Sequence, residues 1–327
     1  MMSKIISGTR IMILITLLFL TANLNAQTIT DVINAFNAGA EEVNTGNFEV
    51  AISKFEECIQ LAEQLGAEGD EMKSKAEEQL PALYYRIAGD TYKAKDIEGA
   101  IDWFEKTVEI CNQYGNDDIK EKSLNYIPQL CYAMGNTHFR NEELDKALAS
   151  YDEAIEYMPD YSRAYYGKSL VYRKKDDAAN MMVMLDKAIE TGKTSGDEKT
   201  TESAARIARD YIIEDGKKAM NVEDYETAID RFNASMKYDD KYAEPYYYLA
   251  VIYNKKLEYD KSVENALKAV EYDTSEPEKK AGIYFELGNA YVGIVEYQKA
   301  CDAFKNALYE PYTNTVKYKM ENVLNCE

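Results

Sequence analysis

Seven times along the chain a small residue is followed four positions later by a bulkier one, and three positions after that mostly by another small one. The instances are Ala51/Phe55/Cys58, Ala100/Phe104/Thr107, Ala147/Tyr151/Ala154, Met181/Leu185/Ala188, Ala228/Phe232/Ser235, Ser262/Ala266/Ala269 and Ala300/Phe304/Ala307. Twelve residues before each stands a Gly, Ala or Ser flanked by large apolar residues, as at Gly39, Gly135, Gly216 and Gly288. Self-similarity at a period near roughly 34 residues marks stacked helix pairs, each burying its apolar face on its neighbours. This recurrence predicts an all-α chain and argues against a globular enzyme.

Each unit reads as two helices. In the first, apolar residues recur at helical spacing, as in Tyr284, Leu287, Gly288 and Tyr291. A short turn follows, such as Gly46-Asn47-Phe48, Glu223-Asp224-Tyr225, Glu258-Tyr259 or Glu296-Tyr297. The second helix turns its small residues and its aromatic back toward the first, so that the axes can approach to about 8–10 Å.

The aromatic, Leu-Gly, Tyr, Ala, Phe, Ala order resembles the tetratricopeptide repeat. The seventh unit carries it most fully, in Tyr284, Leu287, Gly288, Tyr291, Tyr297, Ala300, Phe304 and Ala307. Tyr246, Leu249, Ala250, Tyr253 and Tyr259 match in the sixth, and Gly135, Leu144, Ala147, Tyr151, Ala154 and Pro159 in the third. The fourth departs most, with Met181 in place of Ala. The second is one residue short in its turn if Gly89 and Tyr92 are its matching pair. The resemblance spans nearly all of 31–310 and implies a right-handed α-solenoid of about seven helix pairs.

Successive anchors lie 49, 47, 34, 47, 34 and 38 residues apart. The extra residues between units one and two, two and three, and four and five read as helical extensions with a polar turn. Pro81 and Pro128 occupy matching places 47 residues apart, in what looks like an internal duplication, and should start or kink a first helix. The expected organisation is a secretory signal over 1–26, units one to four over 27–192, units five to seven over 193–311, and a capping helix and tail over 312–327. Val316, Met320, Val323 and Leu324 form the face of the cap, and Thr191 to Ser203 is the best hinge candidate.

The signal reading rests on Lys4 and Arg10, the apolar run Ile11 to Leu20, and Leu24-Asn25-Ala26 before Gln27. That run is shorter than the roughly 20 apolar residues a membrane span requires. Export is therefore expected, to a periplasmic, cell-envelope or secreted location, with no transmembrane span in the mature chain. The full chain carries a net charge of −20, and loss of Lys4 and Arg10 leaves 36 Lys/Arg against 58 Asp/Glu. Such a surface repels nucleic acid. Five cysteines are too few for a disulfide framework, although an oxidising compartment would permit Cys301 to pair with Cys326.

The residues offer little catalytic chemistry. The one histidine, His138, stands where other units carry a packed tyrosine, and no metal-ligand spacing, phosphate loop or nucleophile elbow is present. The expectation is a noncatalytic protein, with no cofactor or metal, that binds a protein or peptide as a scaffold or assembly adaptor. Twelve tyrosines, Tyr92 and Tyr297 among them, fall at positions the repeat packs internally. A second aromatic set follows the first core aromatic of each pair: Phe36, Tyr132, Tyr166, Tyr247 and Phe285. The family resemblance implies that these face a concave groove, with Asn136, Asn289, Arg140, Lys174 and Lys255 as further partner-binding residues. The Lys and Asn pair with which some family members hold a chain-terminal carboxylate is absent. The alternative is a small-ligand or glycan-binding protein that uses the groove tyrosines.

Overall fold

The computed structural model describes residues 28–326. The signal assigned to 1–26 lies outside the described residues. Among those described, fifteen α-helices follow one another with no strand. They form seven pairs: α1 (Ile29–Thr45) with α2 (Phe48–Leu65), α3 (Asp70–Lys93) with α4 (Ile97–Tyr114), α5 (Asp117–Arg140) with α6 (Leu144–Tyr157), and α7 (Ser162–Lys174) with α8 (Ala178–Ser195). Then come α9 (Glu198–Asn221) with α10 (Tyr225–Ser235), α11 (Ala243–Lys255) with α12 (Tyr259–Tyr272), and α13 (Ala281–Gly293) with α14 (Tyr297–Asn306). A short α15 (Thr313–Tyr318) continues into a π-helical turn, Lys319–Leu324.

The chain forms two compact units whose boundary, Leu124/Asn125, falls inside α5. In the first unit α1 packs on α2, α2 on α3, α3 on α4, and α1 also touches α3. In the second, each helix from α6 to α13 packs on the next, and first helices meet directly, α7 on α9 and α11 on α13. The stretch 191–203 lies within the second unit. There α8 ends at Ser195, Gly196 turns the backbone left-handed, and Asp197 starts α9.

The crossings obey the recurrence. Gly39, Ala88, Gly135, Ser169, Gly216, Ala250 and Gly288, one per pair, are all buried. Space explains the small residues: a Cβ on Gly288 would lie 2.5 Å from the Phe304 ring, and Tyr151 is clasped between Gly135 and Gly167 in the same way. Met181 and Leu185 are fully buried, so the fourth pair packs like the others despite its changed sequence.

Every turn within a pair passes through one left-handed residue: Gly46, Lys95, Glu142, Asp176, Glu223, Leu257 and Val295 in order. Six of the seven are not glycine, so the repeat geometry overrides residue preference there. Asp residues cap the following helix in three pairs, with Asp96, Asp177 and Asp224 accepting from the backbone N–H groups of Gly99, Asn180 and Thr227.

Four expectations need correction. Ala88, not Gly89, occupies the second crossing; Gly89 faces open space and Tyr92, one position out of register, is 50% exposed. Tyr297 is also 50% exposed. Its equivalent Tyr259 packs its ring on Gly293 of the next pair, and Tyr297 has no such neighbour among the described residues. Pro81 and Pro128 start no helix, since α3 and α5 run on for 24 residues with the proline inside, and α9, also 24 residues long, absorbs the third extension. In the cap, Val316 is buried against Ala300, Phe304 and Ala307 with Met320 and Leu324 beside it, but Val323 is 55% exposed. The wider π turn rotates it off the face that ordinary helical spacing predicts. Cys301 and Cys326 form a disulfide that ties the chain's end to α14, while Cys58, Cys111 and Cys131 are buried thiols.

Candidate partner-binding surface

Each aromatic of the second set is half-buried on its first helix. Phe36, in the first unit, sets its ring edge against Phe55 at 5.3 Å. In the second unit Tyr132 contacts Tyr151 and Tyr161, Tyr166 packs beside Met181 and Leu185, Tyr247 meets Tyr248, and Phe285 meets Phe304 and Tyr312. Asn136 is committed to the interior, accepting the Tyr151 hydroxyl at 2.8 Å. The cations ending the first helices are exposed. Lys174 is held by Glu142 at 2.7 Å, whereas Arg140 reaches only the Thr137 hydroxyl and Lys255 makes no ion pair among the described residues.

Sequence reasoning missed a second recurrence. Tyr161, Tyr242 and Tyr312 stand at the N-caps of α7, α11 and α15, and each leans back on the pair before it. Tyr161 meets Tyr132 edge-on at 5.7 Å, Tyr242 lies under the Arg209 guanidinium at 3.6 Å, and Tyr312 stacks on Phe285 at 4.8 Å. The signal was legible as a tyrosine eight to ten residues after Tyr151, Phe232 and Phe304. Burial, reinforced by the neighbouring Tyr312 phenol, pushes the Tyr247 phenol far above its ordinary value.

Between α11 and α13 a hollow of about 430 Å³ brings together Lys255 and Asn289, both expected, with Asn254, Glu286 and Lys319, which were not. Asn254 donates to both the Glu286 backbone carbonyl and its carboxylate, at 2.9 and 2.7 Å. Burial raises the Glu286 carboxyl above its usual range against the pull of Asn254, Asn289, Lys255 and Lys319. These residues hold non-equivalent places in their repeats, so aligning the repeats cannot bring them together.

A different cleft, about 460 Å³, opens at the starts of α7 and α9. Asp197 bridges it, accepting from Ser162 Oγ at 2.9 Å, Arg163 Nε at 3.1 Å and Thr200 Oγ1 at 2.8 Å. Burial opposes its charge, yet the hydrogen bonds from Thr200, Ser162 and Arg163 prevail and hold its carboxyl below the ordinary value. His138 is engaged by Glu143 at 2.6 Å. Among the described residues no three acidic, His or Cys side chains are grouped to hold a metal, and no helix is long and apolar enough to cross a membrane.

No curated protein matches the chain. Tetratricopeptide repeat models match residues 128–161 and 162–191, the third and fourth pairs. Among solved structures the chain is similar to YrrB, a tetratricopeptide-repeat protein with an unusual peptide-binding site, at 18% identity over 59% of this chain and 91% of that one, with a TM-score of 0.33. It is similar to the TPR2AB domain of yeast Sti1 in its complex with pHSP90, at 16% identity over 90% of this chain and 96% of that one, with a TM-score of 0.33. Similarity to the P58(IPK) TPR domain is 12% over 89% and 96%, with a TM-score of 0.31. The chain thus carries tetratricopeptide repeats in its third and fourth pairs, and the same small-residue rule holds at all seven crossings.

Proposed function

We propose that the chain is a noncatalytic protein-binding scaffold or assembly adaptor of the cell envelope, which takes a partner segment along its first helices. One observation carries the reading: in a chain of net charge −20, Arg140 and Lys255 end first helices exposed and outside any ion pair among the described residues, beside half-buried aromatics. Structural complementation of a helix dipole accounts for a cation at that place. Aromatic rings and exposed cations together also give a partner apolar area and a charge to engage. Export is supported by Lys4, Arg10 and the apolar run that follows, and by the Cys301–Cys326 disulfide, a bond that persists in oxidising compartments.

The test is crosslinking in the native cell followed by mass spectrometry, comparing wild type with an Arg140→Glu/Tyr166→Ala/Lys255→Glu variant. The variant should lose the crosslinked partner while keeping its far-ultraviolet circular dichroism. Undiminished crosslinking to the same partner would place recognition elsewhere on the molecule.

A further inference from the structure

We propose a carbohydrate site in the cleft of about 620 Å³ at the starts of α11 and α13 and the turn before α15, separate in kind from partner binding. Its size falls in the roughly 300–1,000 Å³ range of small-molecule sites. Tyr242, Tyr247, Tyr272 and Tyr312 line it. The orientation of two of them selects the ligand chemistry. A Cβ on residue 282 would stand 3.0 Å from Tyr312 Oη and 3.3 Å from Tyr247 Oη, so these hydroxyls converge over Gly282 in the wall of the cleft. The Tyr312 phenol sits beside that of Tyr247 at this wall. Each phenol brings one O–H donor and acceptor lone pairs that a ligand can engage. Ser275, in the same wall, has a buried hydroxyl with no partner among the described residues.

Charge and ring packing disfavour an anion and an aromatic-caged cation. Four carboxylates line the cleft against Lys241 and Lys279, which disfavours an anion. A caged cation needs open ring faces. One face of Tyr312 is taken by Phe285, and the Tyr247 ring is packed against Tyr248. A neutral ligand with apolar C–H faces and many hydroxyls matches what is left: tyrosine edges, the unpartnered Ser275 hydroxyl, and hydrogen-bond donors and acceptors. A short neutral oligosaccharide has that chemistry.

The test is isothermal titration of the purified protein with maltotriose, cellotriose, xylotriose and triacetylchitotriose, with tetramethylammonium and inorganic phosphate as probes of the other classes. At least one trisaccharide should bind. Tyr312→Phe, which keeps the ring on Phe285 and removes one hydroxyl, should weaken it about tenfold. Gly282→Val should abolish binding by displacing the two hydroxyls, and if that variant fails to fold, Tyr312→Phe decides alone. No trisaccharide binding, binding indifferent to Tyr312→Phe, or binding of tetramethylammonium or phosphate alone would overturn the proposal. Partner crosslinking in the cell is a separate readout, so failure here leaves the scaffold reading standing.

Discussion

The cleft at the starts of α7 and α9 and the cleft at the starts of α11 and α13 occupy the same kind of place, where one pair's loop meets the next first helix. Both carry an N-cap tyrosine leaning on the preceding pair, Tyr161 in one and Tyr312 in the other. The first is spanned by the chain's own chemistry, with Asp197 drawing Ser162, Arg163 and Thr200 onto one carboxylate. In the second, the Tyr247 and Tyr312 hydroxyls converge on Gly282 in the wall of a cleft of about 620 Å³. A repeat scaffold thus sets where a cleft falls, and the loop residues decide whether the chain occupies it.

If the regions differ only at those loops, their interiors should respond alike. Tyr151→Ala and Phe304→Ala should each cost about 3–5 kcal/mol in chemical denaturation, because each empties a space between small residues. A large disparity would break the comparison. Next comes the tether specific to the second region. Replacing Cys301 and Cys326 by Ser releases a constraint across 25 residues and should cost about 3 kcal/mol, with hydrogen exchange accelerating first over 313–324.

Asp197→Ala should cost about 2 kcal/mol near neutrality, as a helix cap and several charge-assisted hydrogen bonds are lost together. The folded-state carboxyl is held below its unfolded value, so its contribution is present above that unfolded value and disappears as pH falls through the folded one. Wild type and variant should therefore converge in acid, and a gap that persists there would show that the carboxylate's charge is irrelevant. The smallest effect is a gain. Val295 holds the left-handed turn of the seventh pair and Asp176 that of the fourth, and only Asp tolerates that conformation readily. Val295→Gly should stabilise by about 1 kcal/mol in thermal unfolding, with Asp176→Gly near neutral. Equal gains would show that the turns are equivalently strained.

Much of this was legible because packing repeats with the sequence. Ala51, Ala147 and Ala300 announced their crossings, and the 24-residue helices α3, α5 and α9 account for the irregular spacing. Tyr92 and Tyr297 were misread because burial depends on register and on what the next element covers, which a repeat motif does not encode. Glu286 and Asn254 were missed for a related reason, since they meet across two repeats from unlike positions. Tyr161, Tyr242 and Tyr312 did recur, but just outside the bounds of the helix pair, where a motif centred on the pair does not look.

Those three tyrosines also mean that a repeat of this chain is not a self-contained brick. The third and seventh pairs have their outward ring finished by a residue that opens the following helix. Anyone shortening the array or grafting one of its modules into another host must carry that tyrosine with the preceding module. A splice made one residue too early would leave a bare aromatic edge and an adhesive end.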